Sequence, residues 1–172
     1  MFRKPIYCAL VPMLWVLSTQ AFAVIAPASA ATTITINADR SSALSPPHGD
    51  RTRIIYTGHV VIHRGTLTLL GERAVIHIRK QAIERIVVTG RPARFTFKPR
   101  GKPIVRGQAA SVAYEADNDT LQLDGKVHVT RPGESFTAEH VNYGLKTRLF
   151  KARSNGSGQI HAVFTPASDG SP

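Results

Sequence analysis

The sequence predicts an all-β fold built of many short antiparallel strands. Three observations carry that prediction. After residue 30, no window keeps a 3.6-residue apolar rhythm over helical length. Val, Ile and Thr are plentiful and alternate with polar residues, as on a half-buried strand. Gly, Pro, Asn and Asp punctuate the chain every few positions, as turns require.

The first thirty residues are set apart from this pattern. Arg3 and Lys4 form a cationic head, residues 6–26 are mostly apolar, and Ala28-Ser29-Ala30 supplies small residues where a signal peptidase cuts. Residues 1–30 are expected to be a signal peptide. The competing reading is a retained anchor, since roughly 20 apolar residues can span a bilayer. Pro12 and Ser18-Thr19-Gln20 interrupt the run and favour cleavage. Cys8, the single cysteine, lies near the cationic end of the leader, whereas a lipoprotein cysteine follows the apolar stretch, so a lipoprotein anchor is excluded. The expected domain is 31–166, without disulfides, followed by a disordered tail at 167–172.

The formal net charge of +11 over 172 residues calls for an anionic partner. Export disfavours nucleic acid and puts anionic lipid or glycan ahead.

Taken in order, Thr33-Ile34-Thr35-Ile36-Asn37 alternates as an opening strand, and Ser45-Pro46-Pro47-His48-Gly49-Asp50 reads as a loop. Residues 56–78 give one strand, a turn at Arg64–Gly65, a second strand, and a third after Gly71–Glu72. A further strand is expected from Ile83 to a stop at Gly90, then Arg94-Phe95-Thr96-Phe97, then the loop 98–103. Alternation resumes from Ile104, turns at Asp117-Asn118-Asp119, and flanks Asp124-Gly125-Lys126 and Arg131-Pro132-Gly133-Glu134. Strands at 149–152 and 159–164 end it.

The chain repeats itself. Gly58, Gly90, Gly125 and Gly158 open similar phrases 32, 35 and 33 residues apart. The closest match sets Gly58-x-Val60-x-Ile62 against Gly125-x-Val127-x-Val129, with Leu67-Thr68-Leu69 answering Phe136-Thr137-Ala138. A unit this small cannot bury its apolar face alone, so the units must share one face. Alternation assigns to that inner face Val60, Ile62, Leu67, Leu69, Ile76, Ile78, Ile86, Val88, Phe95, Phe97, Val112, Tyr114, Leu121, Leu123, Val127, Val129, Phe136, Val141 and Tyr143. They are either packed core or the lining of a lipid groove; alternation fixes their side and not what fills it.

The phrases Ile34-Thr35-Ile36-Asn37-Ala38-Asp39, Tyr56-Thr57-Gly58-His59-Val60-Val61-Ile62, Gly65-Thr66-Leu67, Ala74, Gly90-Arg91-Pro92-Ala93-Arg94-Phe95 and the second pass over 107–143 resemble the OstA-like family. That resemblance implies a twisted, V-shaped β-jellyroll open at both ends, with an apolar groove and no enzymatic activity. It implies carriage of lipopolysaccharide from inner to outer membrane and head-to-tail, edge-to-edge stacking of copies. The partners it implies are LptC at the inner membrane and the N-terminal domain of LptD at the outer membrane. An LptC-like membrane-anchored docking module is the alternative within the same machine. Lipid phosphates favour Arg and Lys, and Arg79, Lys80, Arg94 and Arg106 are the expected contacts. The sequence departs from the family pattern at His59, where Asn is common, and in its proline-rich 41–52 linker.

No cofactor, metal or catalytic set is expected. His59 and His63 lie four apart on a strand, too far apart for one ion, and with His77 and His128 fall on the outer face. Neither H-E-x-x-H, G-x-S-x-G nor a phosphate loop occurs, and the clustered acids of a glycan-active enzyme are missing. Asn118-Asp119-Thr120 and Asn155-Gly156-Ser157 match a glycosylation sequon only by chance.

Overall fold

The computed structural model describes residues 33–45, 50–154 and 158–165. The expected signal peptide, Cys8, the 167–172 tail and Asn155-Gly156-Ser157 therefore lie outside the described residues. Among the described residues, ten strands form one antiparallel sheet: β1 (Ile34–Asn37), β2 (Arg40–Leu44), β3 (Arg51–Arg64), β4 (Leu67–Arg79), β5 (Ala82–Phe97), β6 (Val105–Glu115), β7 (Thr120–Arg131), β8 (Glu134–Gly144), β9 (Phe150–Arg153) and β10 (His161–Phe164). From β3 to β8 each strand pairs with the next. Two short strands share each outer side, β1 and β2 along β3, β9 and β10 along β8. Among the described residues no helix is long and apolar enough to cross a membrane.

The central strands are longer than their sequence pieces, for one reason. Glycines expected to end strands instead make bulges inside them. Register breaks fall between Thr57 and Val60 on β3, Leu70 and Arg73 on β4, Thr89 and Ala93 on β5, and Asp124 and Val127 on β7. The third strand expected after Gly71, and the stop expected at Gly90, are thus continuations of β4 and β5. Pro92 sits in the β5 bulge, where its missing N–H costs the ladder nothing. Two shorter corrections follow. The first hairpin turns at Gly65–Thr66, between the paired Arg64 and Leu67, one residue later than expected. Residues 41–44, read as the start of the linker, belong to strand β2.

Bulges bend strands, and here they align from strand to strand. Along that line the sheet folds into two facing layers. The first layer holds residues 51–57, 73–79, 82–89, 111–115, 120–124 and 140–144, with β2 and β9 at its sides. The second holds 60–64, 67–70, 93–97, 105–108, 127–131 and 134–138, with β1 and β10. Contacts across the interior tie them together. The Phe97 ring of the second layer stands edge-on to Tyr143 of the first, centroids 6.1 Å apart. Phe136 likewise meets Phe150 at 5.0 Å.

Of the four phrases, those at Gly58 and Gly125 repeat as geometry, with a corrected alignment, whereas Gly90 lies in the β5 bulge and Gly158 in no strand. Hairpin β3–β4 and hairpin β7–β8 carry the same pairs displaced by 67 residues: Thr57↔Arg73 with Asp124↔His140, Val60↔Gly71 with Val127↔Ala138, and Arg64↔Leu67 with Arg131↔Glu134. Leu69 therefore answers Phe136 and Leu67 answers Glu134, two positions from the sequence match. Both bulges use the same backbone, with positive φ at Gly58 (80°) and His59 (41°) and at Gly125 (78°) and Lys126 (51°). Glycine at the first position makes that conformation accessible.

Candidate functional site

The interior between the layers is the apolar site that alternation assigned. Val60, Ile62, Leu67, Leu69, Ile76, Ile86, Val88, Phe95, Phe97, Val112, Tyr114, Leu121, Leu123, Val127, Val129, Val141 and Tyr143 are all buried in one cluster. Ile78 and Phe136, placed with them, are only half-buried, because each sits at a margin of its layer. The cluster also takes in Ala74, Ala93, Val105, Ala109, Ala138 and Leu145. Alanine carries too weak an apolar signal to mark a face, and Ala93 and Ala109 lie beside bulges where the alternation changes phase.

At the centre this interior is filled by side chains. Phe95, Ile62, Leu69, Ile76, Leu121 and Leu123 are each under 2 % exposed, so solvent reaches almost none of their surface. Phe95 fits because Gly107 faces it across the β5–β6 pair. A Cβ built on Gly107 would stand 2.2 Å from the ring edge, so the ring covers the glycine as a side chain would. Toward the margins the interior opens. Ile34, Ile36, Ile54 and Tyr56 on one side, and Phe136, Phe150 and Ala152 on the other, are apolar and half-buried.

One polar cluster interrupts the interior. Arg64 is in phase with Val60 and Ile62, and so projects inward from the second layer. Its guanidinium reaches Asp119, in the β6–β7 turn of the first layer, at 2.9 Å, and lies 4.7 Å above the Tyr114 ring. Asp119 is 6 % exposed. It also accepts the Tyr114 hydroxyl at 2.5 Å and Lys146 Nζ at 2.6 Å. Burial alone would raise the Asp119 carboxyl. Lys146, the Tyr114 hydroxyl and Arg64 outweigh burial and hold it below the ordinary carboxylate range. Burial, then the bond to Asp119, push the Tyr114 hydroxyl up. The cluster is a latch between layers. The sequence held its signal, a charge on an otherwise apolar face at Arg64, but Asp119 read only as a turn residue.

The expected phosphate contacts do not gather at one place. Arg94 and Arg106 lie together on the outer face of the second layer, beside a shallow concavity of about 250 Å³. Arg79 and Lys80 stand at the far β4–β5 turn, where Arg79 pairs with Glu84 at 3.0 Å. Alternation explains the separation from the interior: Arg94 neighbours inward Phe95, and Arg79 neighbours Ile78. His63, His77 and His128 are on outer positions of their strands, and His59 is exposed in its bulge. No group of three metal-ligating side chains occurs among the described residues.

A family model described as LptA/(LptD N-terminal domain) LPS transport protein matches residues 35–148. The chain belongs to that family. It is a family of transport proteins, not of enzymes, and the OstA-like resemblance of the sequence is borne out. The lipopolysaccharide export system protein LptA of Haemophilus influenzae is 25 % identical over 125 residues, covering 69 % of this chain and 70 % of the relative. A solved structure of LptH, the LptA-homologous periplasmic component of the lipopolysaccharide transport device of Pseudomonas aeruginosa, superposes with a TM-score of 0.66 at 23 % identity. The match covers 78 % of this chain and 96 % of that one. It establishes the shared fold of this LptA-family chain: all-β, antiparallel and unclosed.

Proposed function

We propose that this chain is a periplasmic bridge protein that carries lipopolysaccharide from the inner to the outer membrane along its apolar interior. The observation that carries the reading is the interior's course. Apart from the Arg64–Asp119 cluster, apolar side chains run across the sheet from Ile36 and Tyr56 at one side to Phe136 and Phe150 at the other, half-exposed at both. Acyl chains need such a trough, which desolvates them at roughly 25 cal/mol per Å². Because the centre is filled, carriage requires the layers to part. The sequence holds no phosphate loop, and movement is passive and driven elsewhere in the machine.

The two sides of the sheet support head-to-tail assembly. Each is a pair of short strands split at the same corner, β1 with β2 and β9 with β10, and unpaired edges of this kind template strand addition. A second copy joined there continues both layers and the interior between them. The end partners are LptC at the inner membrane and the LptD N-terminal domain at the outer. Export uses residues 1–30 as a signal peptide, leaving domain 31–166 and a short tail. A mature chain beginning at Ala31 checks that step; a retained leader would favour the anchored LptC-like module.

Photo-crosslinkers at Ile36, Phe136, Ile76 and Leu123 in living cells test the carriage. Lipopolysaccharide adducts are expected at all four and absent at His63 and Thr68, which bond to each other at 3.1 Å on the outer face. No adduct at any inward position overturns the reading and leaves a packed sandwich.

A further inference from the structure

The outer face of the first layer carries an arrangement that stability alone disfavours. Arg51 lies directly across from Arg79, Arg53 across from His77, and His77 across from Arg85. Cross-strand neighbours stand about 5 Å apart at Cβ, and a like-charge pair placed there, as Arg51 and Arg79 are, is destabilising. Five basic side chains thus share one lattice on β3, β4 and β5. Ile54, Ile76 and Ile86, one residue away on each strand, point to the interior instead.

Two further observations turn this lattice into a site. It is concave, enclosing about 590 Å³ against Arg51, Arg53, His77 and Arg85. Its two carboxylates are already engaged, Glu84 by Arg79 at 3.0 Å and Glu115 by Arg85 at 3.0 Å. Among the described residues, Arg51 and Arg53 meet no carboxylate.

We propose that this concavity binds a phosphate monoester carried on a small headgroup, such as a phosphorylated sugar. Two uncompensated arginines match the roughly −1.5 to −2 charge of a monoester at neutral pH. Guanidinium forks suit its oxygens in pairs. The volume exceeds what a bare phosphate fills, leaving room for the group that bears it. A flat lipid surface fits less well, because the arginines line a hollow rather than a plane. Its arginines are on the opposite side of the strands from the apolar interior, with Thr52 and Ile78 lining the site at the layer's margin, so it goes beyond the carriage proposed above and is tested apart from it.

Calorimetric titration of the purified full chain with glucose 1-phosphate and with inorganic phosphate, beside sedimentation with phosphatidylglycerol and phosphatidylcholine vesicles, decides the matter. Saturable binding of glucose 1-phosphate is expected, tighter than that of inorganic phosphate. Arg51→Gln/Arg53→Gln should weaken it at least tenfold while raising the unfolding temperature, because like-charge repulsion is relieved. Arg94→Gln/Arg106→Gln, on the other layer, should leave it unchanged. An equal loss in both variants would mean unspecific charge and overturns the site. So does binding to phosphatidylglycerol vesicles without any to the soluble phosphates, which would make the lattice a membrane-docking face. No binding of any probe overturns it as well. Failure of the interior crosslinks with phosphate binding intact would sink the carriage and leave this site standing.

Discussion

Hairpins β3–β4 and β7–β8 share one register and one bulge, yet they close the interior differently. Arg64 and Arg131 occupy the same place, the last strand residue before a two-residue turn. Arg64, 24 % exposed in its side chain, crosses to Asp119 of the facing layer. Arg131, 45 % exposed, stays within its own hairpin, paired with Glu134 and 5.7 Å above the Phe136 ring. The residue across the turn decides between them. Leu67 stands opposite Arg64 and offers no acid, whereas Glu134 stands opposite Arg131. Near Arg64 the layers are latched by a buried carboxylate. Near Arg131 they meet through the partly exposed rings of Phe136 and Phe150. A repeated backbone therefore sets where the sheet bends, and single side chains set how the two layers are joined beside each turn.

The largest test separates those two arginines. Arg64→Met leaves the Asp119 carboxylate buried with Lys146 and Tyr114 alone, and is expected to cost about 2–4 kcal/mol. Arg131→Met removes an exposed pair and should cost under about 1 kcal/mol. Urea midpoints at an unchanged m-value measure both, and equal losses would dissolve the distinction. Asp119→Asn examines the charge itself, because Asn also accepts the positive φ of 49° found there. The Asp119 carboxyl is held below its ordinary value. Its contribution is therefore complete above the unfolded pKa and is lost as pH falls through the folded one. The native chain should lose stability below about pH 4, and Asp119→Asn should show a shallower acid limb.

How much of this was legible in the sequence depends on range. Inward facing at Val60, Ile62, Leu121 and Leu123 follows from period-two alternation, which is local and strong. The strand lengths did not follow, since Gly71 and Gly90 read alike whether they end a strand or bulge it; only the partner strand's register decides. Gly58 and Gly125 marked the repeat correctly, but the tie between Leu67 and Glu134 needed the paired register. The latch is less legible still. Tyr114 and Asp119 are neighbours in sequence, but Arg64 comes from some fifty residues earlier and meets them only once the sheet has folded.

The shared bulge gives the next comparison. Gly58→Ala and Gly125→Ala each place a side chain at positive φ, and each should cost about 1–2 kcal/mol. Their surroundings differ. A Cβ at Gly125 meets the Ala110 methyl at 3.0 Å, whereas one at Gly58 overlaps the Asp39 carboxylate at 2.2 Å. Asp39 is a half-exposed side chain and can swing aside. The thermal losses should then be similar, and a much larger loss at one site would show that the two bulges are not equivalent.

The smallest effect belongs to the residue that follows Gly58. His59 Nδ1 lies 2.9 Å from Asp39 Oδ2, and that hydrogen bond, with the carboxylate charge, raises the imidazole above its ordinary 6.5. A raised imidazole contributes stability below the unfolded pKa and loses it as pH climbs through the folded value. With the His59 side chain 92 % exposed, the change in unfolding midpoint should be slight, so the readout is the imidazole resonance in an NMR titration. The native chain should titrate above 6.5, and both Asp39→Asn and Gly58→Ala should return His59 to the ordinary value. Asp39 also donates its backbone N–H to Gly58 O at 3.0 Å at the break between β1 and β2. An ordinary pKa in the native chain would mean that the carboxylate leaves His59 in solution, and that this split edge is held at its corner by backbone alone.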